Sequence, residues 1–304
     1  MNVETLRLIF AIFSFIYNIF TNFANMLQGK LDKDSITQSQ LWRLALMIDN
    51  NFLHVALYPP VAREEIVWRS FPIDPAAPSK LKAIEDIIYD NPLLLAEFRQ
   101  IDCIIDDDAG LIVPASFSPE HYELLLDSIS ARTEQTELDI EVTPIAPNAT
   151  LLSQPNADIA AFLRRTFFNI SLRPRLPLIA SYLIKHTEGL SEQRAIALMR
   201  DGQMTFIAFN GSNLLIANDF KYESPTDAAY YIMASMQQIG LDSSNPDVSV
   251  ALFGDSLSEP GSLSKVLKPY IAGLCQLPFP TLRFRASKST IQAPFPLLIL
   301  PSCE

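Results

Sequence analysis

The 304-residue sequence holds three cysteines, three histidines and nine glycines. Three cysteines without C-x-x-C spacing exclude a disulfide scaffold and the usual zinc sites. Three histidines leave few parts for acid–base or metal chemistry. The glycine count excludes a collagen-like chain, and 49% hydrophobic against 19% charged residues is too apolar for a disordered one. Basic side chains are also scarce: 23 against 34 acidic ones give a net charge of −11. That balance argues against a general nucleic-acid binder, which needs a basic face. The length suggests two domains or lobes, each able to bury a core.

What is present begins with an apolar N-terminus. Leu8 to Leu27 is a 20-residue window without a charge, and five of its residues are phenylalanine. It has the length of a membrane span. A secretory signal is disfavoured, because Glu4 opposes Arg7 and no small-x-small cleavage site follows. Two readings stand for residues 1–30: a hydrophobic helix acting as a membrane-spanning or monotopic anchor, or a misassigned start with translation beginning near Met26.

From Gln40 onward, apolar runs alternate with turn signals. Leu41–Asp49 and Phe52–Tyr58 flank Asn50-Asn51, a pair that tolerates positive φ and suits a tight hairpin. Glu65–Phe71 reads as a third strand, Pro78–Tyr89 as a helix and Ile101–Ile105 as a strand. Leu111–Val113 is another short strand, Ser118-Pro119 opens a helix through Ile129, and Leu138–Ile145 is the next strand. The second half repeats the order. Gln193–Arg200, Met204–Asn210 and Leu214–Asp219 are strands, and Ser224-Pro225 opens a helix to about Ile239. Asp247–Phe253 is a strand, Leu263–Leu274 a helix interrupted by Pro269, and Thr281–Arg285 a strand. Between the halves lie a strand at Ala149–Leu152 and helices at Ala157–Phe168 and Leu176–His186. The predicted class is α/β (α+β). A three-strand meander followed by helix-connected strands is the ribonuclease-H-like plan, and two copies give the actin-like ATPase arrangement. The expected division is residues 1–30, then lobe I over 31–155 and lobe II over 156–304.

Particular residues add a resemblance. Asn91 to Leu95, Ile101 to Ile105 and Leu111 to Pro114 resemble one half of an uncharacterised Bacteroidetes family, domain of unknown function 3822. Leu214 to Tyr231 (LLIANDFKYESPTDAAYY), Gln238 to Asp242 and Leu252-Phe253-Gly254 resemble its other half. The resemblance covers about Ile36 to Ala286. It implies a duplicated actin-like ATPase fold and no assigned activity.

A working ATPase of that plan needs an Asp on the first hairpin of each lobe to hold hydrated Mg²⁺. It also needs glycines whose backbone N–H groups approach phosphate. The candidates are Asp49, Asp201, Gly202 and Gly254. The first hairpin has no glycine, neither hairpin has a lysine, and Asp255 follows Gly254. Asp49 and Asp201 are more simply explained as turn formers. The expectation is therefore a pseudo-ATPase with no catalytic residue, metal or cofactor, acting as a binding or scaffold protein. Two alternatives remain: an enzyme using ATP and Mg²⁺, or a membrane-associated assembly component similar to the actin-like proteins of pilus and secretion machines. The expected partner is another protein, with no DNA, and with a membrane only if residues 1–30 are real. The expected place is the cytoplasm, alternatively the inner membrane through the N-terminal segment.

Other constellations are weaker. Gly254-Asp255-Ser256-Leu257 spells an esterase nucleophile block, but no Asp or His follows it, and no histidine shows an orienting acid nearby. Asp106-Asp107-Asp108 fits a solvated turn better than a cation loop. Arg283 and Arg285, and the cluster Arg164, Arg165, Arg173 and Arg175 beside Phe167 and Phe168, could meet RNA, which the acidic balance disfavours. Cys103 reads as core, and the apolar tail Phe295–Leu300 as packed on the body.

Overall fold

A computed structural model describes residues 36–61, 66–106, 110–129, 140–186, 188–254, 262–280 and 293–303. The apolar N-terminal window, Asp255 to Ser258, and the basic strand expected at Thr281–Arg285 lie outside the described residues.

Two five-stranded sheets carry the same plan. In lobe I, β1 (Arg43–Ile48), β2 (Phe52–Tyr58) and β3 (Val67–Pro72) form an antiparallel meander. Helix α1 (Lys80–Asp90) then leads to β4 (Gln100–Ile105), which runs parallel to β1. Ser79 starts α1 in the expected way, its hydroxyl accepting the Lys82 N–H at 3.0 Å. In lobe II, β9 (Gln193–Arg200), β10 (Gln203–Asn210) and β11 (Asn213–Lys221) repeat the meander. Helix α5 (Pro225–Gln238) leads to β12 (Ser249–Gly254), parallel to β9. A capping box joins Ser224 and Asp227, with Pro225 at the first helical position where its missing N–H costs nothing.

The fifth strand of each sheet departs from expectation. Between β4 and the next helix of lobe I sits an insert of β5 (Leu111–Pro114), α2 (Tyr122–Ile129), β6 (Glu141–Ala146) and β7 (Ala149–Ser153). Its strands form a separate sheet in the order β5-β7-β6. The helix expected from Ser118 and the strand expected from Leu138 belong to this insert. The main sheet is completed by α3 (Ala157–Thr166) and β8 (Ser171–Pro174), giving the order β3-β2-β1-β4-β8. Lobe I thus takes its last strand from residues past the expected boundary at 155. Four residues reading Ser-Leu-Arg-Pro carry no apolar alternation, so β8 has no sequence signal of its own. In lobe II, the helix expected over Leu263–Leu274 stops as α6 (Leu263–Leu267) before Pro269, and β13 (Leu274–Gln276) follows. Proline removes a donor and clashes with the preceding turn. The order β11-β10-β9-β12-β13 matches that of lobe I, so the duplication holds at the level of topology.

Both sheets are covered on both faces, as parallel pairing requires. On β1, alternation sends Leu44, Leu46 and Ile48 toward α1 and α3, and Ala45 and Met47 the other way. The outer face of lobe II packs Ala195, Ala197 and Phe206 against Ala228, Ile232 and Met236 of α5. The inner faces share one core. It holds Met47 and Ile104 of lobe I, Ile196, Ile207 and Phe209 of lobe II, and Ile145 and Leu151 of the insert. It also holds Ile179 and Leu183 of α4 (Arg175–Lys185) and Leu297 and Ile299 of α7 (Phe295–Ile299). The C-terminal tail packs on the body, as its composition predicts, and is buried from Phe295 to Leu300. The Tyr58 hydroxyl donates to the Leu297 carbonyl at 2.5 Å.

Candidate functional site: the cleft between the lobes

The two first hairpins face one cavity of about 140 Å³, together with the end of β12 and the C-terminal tail. Asp49, Asp201 and Gly254 line it, and Gly202 is not among its lining residues.

Asp49 closes the first hairpin with its own side chain. Its Oδ1 accepts the N–H groups of Asn51 at 2.8 Å and Phe52 at 2.7 Å. The Asn50-Asn51 turn therefore needs no positive φ, and neither residue has one. In a phosphate-binding hairpin such N–H groups would face the ligand; here a carboxylate takes them. The other oxygen, Oδ2, accepts from His54 Nε2 at 2.9 Å, and His54 Nδ1 accepts from Ser70 Oγ at 2.6 Å. An ionised carboxylate only accepts, which fixes the proton on Nε2. Sequence reading found no histidine with an orienting acid; the hairpin brings one together, since β2 places His54 opposite Ser70 of β3. His54 is fully buried, and neither it nor Ser70 lines the cavity. Burial pushes the His54 pKa down, against its hydrogen bond to Asp49. Burial works to raise Asp49, but the hydrogen bonds from His54, Asn51 and Phe52 outweigh it and hold the carboxyl below its ordinary value.

The second hairpin is different. Asp201 at φ 48° and Gly202 at φ 74° form a two-residue turn with both φ values positive, which suits the strand twist. The Asp201 carboxylate pairs with Arg200 Nε at 3.0 Å. Gly254 has a steric role: a Cβ there would lie 1.9 Å from the Met199 carbonyl oxygen, so only glycine lets the end of β12 rest against β9.

The centre of the cleft belongs to Arg175, the first residue of α4. Its Nε donates to Asp106 Oδ1 at 2.5 Å, just after β4 of lobe I. Its Nη1 donates to Thr205 Oγ1 at 2.8 Å and its Nη2 to Asp219 Oδ2 at 2.6 Å, both in lobe II. Thr205 in turn donates to Asp219 Oδ1 at 2.5 Å. One guanidinium thus spans both lobes with charge-assisted bonds. Burial opposes its charge, but Asp106 and Asp219 outweigh it and raise the Arg175 pKa. Asp106 is raised, chiefly by burial, and Arg175 only partly offsets this.

These pairings correct the basic-cluster reading. Arg175 is spent inside the cleft, and Arg173 pairs with the buried Asp102 at 3.0 Å, which also holds Arg43 at 2.9 Å. Arg164 lies 3.7 Å from Glu141 of the insert. Asp106 is likewise no solvated turn residue; Asp107 and Asp108 lie outside the described residues. The sequence signal for the Arg175 cluster was only an arginine at the start of an interlobe helix, with partners 30 to 69 residues away.

The insert adds a second tie. The Asn148 side chain, at the β6–β7 turn, accepts the Leu214 N–H at 2.9 Å and donates to the Leu214 carbonyl at 2.9 Å. It pairs with the edge strand of lobe II as another strand would. Among the described residues no group of three or more His, Cys, Asp or Glu side chains is placed to hold a metal ion. Nor is any helix among them long and apolar enough to cross a membrane.

Comparison with known proteins agrees with this architecture. A Bacteroides thetaiotaomicron protein of unknown function with an actin-like ATPase fold superposes with a TM-score of 0.68 at 16% identity, covering 91% of this chain and 100% of that one. The PilM–PilN type IV pilus biogenesis complex gives a TM-score of 0.48 at 11% identity, covering 86% of this chain and 98% of that one. No curated protein matches the sequence. Residues 31–274 match the family described as protein of unknown function (DUF3822), and the chain, with its duplicated actin-like fold, belongs to that family.

Proposed function

We propose that this chain is a non-catalytic, cytoplasmic member of the actin-like fold, a binding or scaffold protein whose lobes are held by Arg175 where an active relative would hold a nucleotide. The carrying observation is the guanidinium bonded at once to Asp106, Thr205 and Asp219. Three further observations support the reading. The hairpin N–H groups of Asn51 and Phe52 are consumed by Asp49. Gly254 is required by the Met199 carbonyl, with or without a ligand. The lobes, the insert and the C-terminal tail share one apolar core, which resists the domain closure that a nucleotide cycle needs.

These residues do not fit Mg²⁺–ATP. The groups lining the cavity include Asp49, Asp106, Asp201 and Asp219 against Arg175 and Arg200, an excess of negative charge that repels phosphate. The ATPase alternative draws on Asp49, Asp201 and Gly254 sharing that cavity. With this chemistry set aside, the fold offers surface, and we take the partner to be another protein. Isothermal titration of the full chain with ATP and Mg²⁺ tests the reading: no saturable heat is expected, and micromolar binding overturns it.

A further inference from the structure

Lobe I is polarised. Its cleft end carries Asp49 and Asp106, whereas its opposite end carries apolar side chains. At that far end β1, β4 and β8 begin and β2 finishes, as the pairings Arg43–Tyr58, Arg43–Gln100 and Asp102–Ser171 require. Around it stand Leu41 before β1, Val61 after β2, Leu95 before β4 and Phe168 before β8, exposed by 47%, 52%, 45% and 86%. Tyr89, 57% exposed, ends α1 at the same edge and sets its ring edge-on against Phe162 of α3, 6.1 Å away. Among the described residues, lobe I outside the insert exposes no other large hydrophobic side chain. Five such residues on one rim are a patch, unlike scattered exposed leucines.

The chain enters at this rim. Ile36 is buried in the lobe I core, and the Thr37 carbonyl accepts from Trp42 Nε1 at 3.2 Å, which fixes residues 36 and 37 at the rim. Upstream, the charge-free window Leu8–Leu27 is separated from Ile36 by eight residues. Even fully extended, the nine steps from Leu27 to Ile36 span at most about 32 Å. Whatever the window enters is held within that distance of the rim.

We propose that the rim of Leu41, Val61, Tyr89, Leu95 and Phe168 rests on the surface of a lipid bilayer. Aromatic and aliphatic side chains at the edge of a protein body suit the headgroup boundary. The exposed Arg99 and Arg165 are offset by Asp90 and Glu97, so the rim asks for no anionic lipid. Lobe I then sits against the membrane, and lobe II faces away from it. This inference is independent of the cleft reading, because nucleotide binding would leave it unchanged.

The test uses the full chain with phosphatidylcholine vesicles carrying brominated acyl chains. Two variants, Phe168→Trp on the rim and Tyr230→Trp on exposed α5 of lobe II, exchange one exposed aromatic for another. The chain should float with the vesicles, and the lipid should quench the Phe168→Trp emission at least about twofold more than that of Tyr230→Trp. Failure to float overturns the proposal, and so does equal quenching at both positions. Self-association that shields position 168 from lipid overturns it as well, and assigns the rim to a second copy of the chain.

Discussion

Arg175 Nη2 lies 2.6 Å from Asp219 Oδ2, and the same guanidinium reaches Asp106 in the other lobe. Removing it leaves Asp106 and Asp219 without their shared cation, although Asp219 keeps the Thr205 hydroxyl. Breaking a buried pair costs about 3–5 kcal/mol, and the low end, about 3 kcal/mol, applies because Asp219 is half exposed. Arg175→Ala should lower the urea midpoint accordingly. Arg175→Lys should recover only part of the loss, since a compact ammonium lacks the planar fork that reaches acceptors on both lobes at once. Full rescue by lysine would mean that the geometry of the fork is unimportant.

Asn148 is the corresponding tie from the insert. Asn148→Ala leaves the N–H and carbonyl of Leu214 without their side-chain partner, a loss of about 1–3 kcal/mol. Faster amide exchange at Leu214 is expected, with the core of β9 unaffected. Unchanged exchange there would show that the insert is held by apolar contacts alone.

His54 gives the fold a pH dependence of definite sign. Its pKa is lowered by burial, with Arg200 adding to the effect and Asp49 and Asp201 opposing it. Below the ordinary value of about 6.5, the unfolded chain takes up a proton that the folded one refuses. Stability therefore falls with pH from about 6.5 downward, with a limiting slope of about 1.4 kcal/mol per unit. Asp106, raised by burial, acts with the opposite sign closer to the carboxylate range. Asp49, whose pKa is lowered, loses its contribution only as pH falls below about 4. Urea midpoints at pH 7.5, 6.5 and 5.5 should drop in the parent and stay flatter in His54→Gln. Equal slopes in the two proteins would remove His54 as the cause.

Gly254 separates packing from ligand binding. Gly254→Ala drives a Cβ into the Met199 carbonyl and should cost about 2 kcal/mol or more, because backbone rather than a side chain must move. Gly202→Ala, at φ 74° but 3.3 Å from its nearest neighbour, should cost about 1 kcal/mol. Thermal melting ranks the two, and a milder effect at Gly254 would contradict its steric role.

Much of this architecture is legible in the chain because each meander alternates strongly and ends in recognisable turn residues. Phe52–Tyr58, Gln193–Arg200 and the start at Ser224-Pro225 stand where the pattern puts them. β8 is invisible because four residues with a proline cannot show a period, and without it the pattern assigns the insert to the repeat. Asp49 and Asp201 line one cavity, and their hydrogen-bond partners there are not legible from the turn residues alone. The His54–Ser70 pairing depends on the β2–β3 register, and the Arg175 cluster depends on two lobes meeting. Neither leaves a trace at short range in sequence.

The central claim is that Arg175 holds the lobes without a nucleotide. It is tested most directly by the distance between spin labels on the two lobes, at Lys82→Cys of α1 and Tyr230→Cys of α5, with Cys275 and Cys303 replaced by serine. One narrow distance distribution, unchanged by millimolar ATP and Mg²⁺ and broadened by Arg175→Ala, is the expected result. A shift of that distribution on adding ATP and Mg²⁺ to the Arg175 protein would contradict it.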